Sequence, residues 1–168
     1  MAYNEKYNRN GYGDRAPRSF ETKHNDRDKV GNFGASALPA DYLVNGYFRE
    51  DGKCDIRYVG LFAETIAAGL SADRETGKSK IRAYFDEVIN IKTDMERKYI
   101  TEDKAMKMLT KLKSRVANRM TKKTASILFG QFICKNVDVV TANEADFRKN
   151  LEEFADHFEA VVGFTTDK

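Results

Sequence analysis

From residue 79 onward, apolar side chains return every three or four positions, and this rhythm narrows the fold more than any other feature of the chain. One run holds Ile81, Tyr84, Phe85, Val88, Ile91 and Met95, and the next Ala105, Met108, Leu109, Leu112, Val116 and Met120. Two more follow, Ile127, Leu128, Phe132 and Ile133, then Phe147, Leu151, Phe154, Phe158, Val161 and Val162. At 100° per residue each set gathers on one face of a helix. No segment between 38 and 168 alternates at period two long enough to make a strand, and Val137-Asp138-Val139-Val140 comes nearest. The expectation is an all-α fold, a compact bundle of about five helices with a flexible N-terminal arm.

The arm is expected over residues 1–37. This stretch holds four Gly, five Asn and twelve charged residues around scattered aromatics, too little apolar surface to offset the entropy of ordering it. The helical domain then covers 38–168. Pro39 presets φ for a short helix carrying Tyr42 and Leu43 and ended by Gly46, and Glu50-Asp51-Gly52-Lys53 reads as a turn. Arg57 to Leu70 reads as a helix with Leu61, Ile66 and Leu70 inward, followed by a polar loop over 71–77. A long helix is expected from Ser79 to about Lys98. Thr101, with Glu102 and Asp103 behind it, is a good N-cap for the next. The chain breaks or bends around Thr121 to Thr124 before a helix over 125–137, and Thr141-Ala142-Asn143-Glu144 resembles a capping box for the last helix.

Catalytic chemistry finds little to work with. The chain has two histidines, His24 in the arm and His157, expected as a partly exposed helix residue beside Asp156 and Glu159. Cys54 and Cys134 stand alone, which suits reduced thiols and gives no zinc site. No phosphate-binding loop, nucleophile elbow, HExxH or EF-hand sequence occurs, and Gly11-Tyr12-Gly13 lacks a flanking strand and helix. Arg148 precedes His157 by nine positions, not the four to six of one class of helical ribonucleases. The expectation is no enzyme, no cofactor and no metal. No run approaches the ~20 apolar residues of a membrane helix, and residues 1–6 form no apolar leader. A cytoplasmic protein without membrane contact is expected.

Charge supplies the functional signal. Eight bases and no acid lie between Lys104 and Lys123, in a chain of net charge +3. Lys104, Lys107, Lys111, Arg115 and Lys122 form a stripe bordering the apolar face, and such polarity suits a polyanion. Residues 141–168 are acidic, with seven Asp/Glu against three Lys/Arg. Copies with opposed basic and acidic zones can attract head to tail.

Four stretches in order add a resemblance: Tyr42-Leu43-Val44-Asn45-Gly46-Tyr47-Phe48, Lys78 to Val88 around Lys80-Ile81-Arg82, Leu112 to Arg119, and Phe154 to Phe164. Over about residues 38–164 the chain resembles the small helical subunit of the type III-A CRISPR effector, the Csm complex. The resemblance implies a non-catalytic subunit that stacks in several copies, as a head-to-tail filament, beside the backbone and large subunits. Its partners would be guide RNA and target RNA. The motifs carry Lys80, Arg82, Lys113, Arg115 and Arg119 forward as RNA contacts, while Lys107, Lys111 and Lys122 rest on charge geometry. Contact with phosphates is the expected mode, base reading being left to the paired strands. Within the chain, Arg82 could instead pair with Asp86 at i+4. A free-standing helical RNA- or DNA-binding protein, or a protein-interaction adaptor, remains the alternative.

Overall fold

A computed structural model describes residues 37–73 and 75–165. Five helices carry the described chain: α1 (Leu61–Ala72), α2 (Lys78–Glu96), α3 (Glu102–Thr121), α4 (Ile127–Thr141) and α5 (Phe147–Phe164). Among the described residues there is no strand, only an isolated antiparallel bridge between Phe48 and Cys54. The all-α expectation holds. The arm expected over 1–37 lies outside the described residues, Ala37 excepted.

Each helix forms because it has one apolar face and a place to put it. α5 packs against α1, α2 and α4, and α3 packs against α4 and α2. Phe132, Phe154 and Phe158 interlock at the centre with ring centroids 5.0 to 6.2 Å apart, and all three are fully buried. From α3 this core receives Ala105, Leu109, Leu112 and Val116, all with no exposed surface. Burying side chains of this size contributes about 1.5 to 3 kcal/mol each, so packing outweighs intrinsic helix propensity here.

Local chemistry sets the helix ends. Thr101 Oγ1 accepts from the Lys104 amide at 3.2 Å, with Glu102 and Asp103 in the first turn facing the positive end of the helix dipole. Ser126 caps α4 by accepting from the Phe129 amide, and its own amide donates to Thr76 Oγ1 at 2.8 Å. That bond ties the loop before α2 to the start of α4. The chain between α3 and α4 breaks rather than bends, because Lys123 turns to φ 53°.

Several sequence expectations are corrected. Residues 40–45 form turns rather than a short helix, since Leu43 (φ 57°) and Gly46 (φ 71°) leave the right-handed region. The helix expected from Arg57 is a 3-10 turn, Ile56–Tyr58, followed after Gly60 by α1. Leu61 is 61% exposed, because it sits 140° around α1 from Ile66; Phe62 takes the inward place. Ile127, at the first turn of α4, is likewise exposed. Thr141 closes α4 instead of capping α5, and Asn143 caps a 3-10 turn, Glu144–Asp146, by accepting from the Ala145 amide. Val137 to Val140 lies inside α4.

His157 departs furthest from expectation. It is fully buried, among Tyr42, Tyr58 and Phe132. Its Nδ1 faces the Tyr58 carbonyl, which can only accept, so Nδ1 carries the proton. The Tyr42 hydroxyl therefore donates to Nε2, at 2.8 Å, and its oxygen accepts from Asn136 Nδ2 at 2.7 Å. Asn136 Oδ1 in turn accepts from the Tyr47 hydroxyl. This chain of bonds fastens residues 42–58 to α4 and α5. Burial lowers the His157 pKa to about 4.

Candidate nucleic-acid interface

The α3 helix turns its buried residues to one side and its cations to the other. Measured around the helix at 100° per residue, Lys104, Lys107, Lys111, Arg115 and Lys122 fall within about an 80° arc. All five are exposed. Over 20 residues α3 is about 30 Å long, which sets the length of the track.

Neighbouring helices and the first turn of α3 supply carboxylates that the basic window itself lacks. Arg115 pairs with Glu87 of α2, and that bond raises the guanidinium pKa further. Lys113 pairs with Asp138 of α4. Lys107 pairs with Asp103, one turn back, at 2.6 Å. Each pair is open to solvent on at least one side, and exposed pairs contribute only about 0.2 to 1 kcal/mol. A phosphate can exchange for such a carboxylate at small cost. Among the described residues Lys104, Lys111, Lys122 and Lys123 have no ion-pair partner.

The candidate residues do not all share this face. Lys113 lies 200° around the helix from Arg115 and leans onto α4. Arg119, at the edge of the stripe, lays its guanidinium 5.5 Å from the centroid of the Tyr84 ring, so part of its surface is spent on packing. Lys80 of α2 reaches the turn after α3, with Nζ 3.4 Å from the Thr124 carbonyl oxygen. Arg82, two residues on, is exposed on another side of α2. No ion pair between Arg82 and Asp86 occurs among the described residues. The structure thus brings Lys80 to the Lys122 end of the stripe and leaves Arg82 and Lys113 off it.

Opposite in sign is the outer face of α5. Glu152, Asp156 and Glu159 are exposed at helical spacing along it. α2 and α4 each pack on both α3 and α5, and an ion pair between Arg148 and Glu102 joins the first turns of the basic and acidic helices.

Among the described residues no group of three or more His, Cys, Asp or Glu is placed to hold a metal ion, and no helix is long and apolar enough to cross a membrane. Cys54 donates to Glu153 at 2.7 Å, and burial together with that carboxylate pushes its thiol pKa up to about 12, far from a reactive thiolate.

A family model described as Csm2 Type III-A matches residues 53–166, more than half of the chain. No curated protein and no solved structure matches it.

Proposed function

Since the chain belongs to the Csm2 type III-A family and is thus a small subunit of the type III-A CRISPR effector complex, we propose that it holds RNA through the exposed stripe of α3. The observation that carries this reading is the row of cations on one face of a packed helix: among the described residues Lys104, Lys111 and Lys122 have no ion pair, and Lys107 and Arg115 have exposed ones. Lys80 extends the row at its far end. Lys113, Arg119 and Arg82 are secondary contacts, reached where the strand wraps over α4 or α2.

The subunit acts in the cytoplasm without catalysis or cofactor, positioning guide RNA, target RNA or their duplex beside the backbone and large subunits. Copies stack head to tail, the basic face of α3 on one copy lying toward the acidic face of α5 on the next. A heterologous contact of this kind repeats without closing.

About four phosphates are within reach of the stripe. At roughly 0.7 ions released per contact, affinity for a single strand falls about fifty-fold between 50 and 200 mM salt. One copy alone therefore binds weakly, and several copies in one assembly bind tightly.

The test is a triple variant, Lys107→Glu/Lys111→Glu/Lys122→Glu, in the tagged full chain purified from its native cells. Helix content and co-purifying subunits stay as in the wild type, while co-purifying RNA drops at least tenfold. Equal RNA retention removes α3 as the contact. A tagged wild-type chain that brings down neither RNA nor other subunits points to the free-standing binder or the adaptor.

A further inference from the structure

Among the described residues three carry a side chain at positive φ: Leu43 (57°), Lys98 (62°) and Lys123 (53°). This region disfavours any residue with a Cβ, and at the end of a helix it is the place where glycine or asparagine ordinarily stands. Leu43 has an evident compensation, because its side chain is buried in the core. Lys98 and Lys123 have none of that kind; both are exposed.

Their positions correspond. Lys98 follows the last turn of α2, its amide donating to the Met95 carbonyl at 3.0 Å while the Tyr99 amide donates to the Asp94 carbonyl at 2.8 Å. Lys123 follows the last turn of α3, its amide donating to the Met120 carbonyl and the Thr124 amide to the Arg119 carbonyl, each at 2.9 Å. A cation here would complement the helix dipole. Arg97 and Lys122, one residue earlier and without the left-handed backbone, already provide that charge. Neither Lys98 nor Lys123 has an ion pair among the described residues. The fold thus gains nothing from these two side chains that glycine and the preceding cation would not give. Side chains held in a disfavoured conformation without a folding benefit point to a binding role.

The turns stand at the two ends of α3, about 30 Å apart, with the stripe between them. Resting on the reading of α3 as an RNA track, we propose that Lys98 and Lys123 are phosphate-binding residues that lengthen this track past both ends of the helix. Each side chain is exposed on a turn closed by two backbone hydrogen bonds.

The double variant Lys98→Gly/Lys123→Gly separates folding from binding, because the two roles predict opposite signs. Relief of the left-handed backbone lets the variant melt no lower than the wild type. Binding of the full chain to a labelled 30-nucleotide single-stranded RNA is measured between 50 and 200 mM salt. Loss of two contacts makes the log–log salt slope shallower by about 1.4 and weakens binding at 50 mM severalfold. Lys98→Asn/Lys123→Asn, which also suits the turn but keeps a side chain, gives the same result. A wild-type chain that binds with strong salt dependence, and variants that bind identically, overturn this inference and leave the α3 reading standing. A wild-type chain that shows no salt-dependent binding at 50 mM overturns the α3 reading and this inference with it.

Discussion

At the scale of single residues, the buried polar chain through Tyr47, Asn136, Tyr42 and His157 gives the fold its main sensitivity to acid. Neutral His157 satisfies both ring nitrogens, accepting from Tyr42 and donating to the Tyr58 carbonyl. Protonating Nε2 would set a donor against the Tyr42 hydroxyl in a fully buried site. The folded pKa of about 4 lies below the ordinary value of 6.5. Between these values the unfolded chain binds a proton that the folded chain does not, so stability is full above pH 6.5 and declines as pH falls toward 4. The whole effect is of the order of 3 kcal/mol. Urea titrations at pH 7 and pH 4.5 measure it, and His157→Gln, though less stable throughout, flattens the difference. An unchanged pH dependence in that variant assigns the effect to a group other than His157; Asp55, whose pKa Arg57 lowers, gives up its contribution only below its ordinary value of 3.8, outside this window. None of this was legible in the sequence. Tyr42 and His157 are 115 positions apart, and a histidine among acidic neighbours reads as a surface residue until the helix phase is known. The same distance hides the partners of the cations: Glu87 and Asp138 lie outside the basic window that they partly neutralise.

At the scale of elements, the contact between α3 and α4 depends on Gly130. A Cβ added there would lie 1.8 Å from Met120 Sδ and 2.4 Å from its Cγ, so the thioether occupies the space that a side chain would fill. Gly130→Ala forces Met120 out of its place and costs about 1 to 3 kcal/mol by overpacking, more than the helix propensity it gains. In a Met120→Ala background the clash is gone, and Gly130→Ala then stabilises by about 0.5 to 1 kcal/mol. Chemical denaturation of the four proteins in this cycle checks the change of sign; a Gly130→Ala effect of the same sign in both backgrounds contradicts the packing described. Helices α2 to α5 were legible because each buries a single face, which imprints a 3.6-residue period whatever its partner. Residues 38–60 were not. Their turns depend on Leu43 and Gly46 at positive φ and on Tyr47 and Tyr58 reaching the bundle, contacts that leave no period in the sequence.

At the scale of the molecule, two helices of opposite charge sit in one bundle of Csm2 type, α3 presenting its cations and α5 its carboxylates. The basic stripe was visible in the sequence because cations at helical spacing need no knowledge of the fold to be placed on one face. Its true extent was not, since Lys113 proves to lean on α4 and Lys80 arrives from α2 only once the helices are packed. In the assembled effector, we propose above all, RNA lies along α3. Ultraviolet crosslinking of the purified complex, followed by mass spectrometry of nucleotide-bearing peptides, tests it most directly. Crosslinks on this subunit should concentrate within residues 98–123. Crosslinks confined to α1 or α5, with 98–123 unmodified in a complex that retains its RNA, would contradict the account.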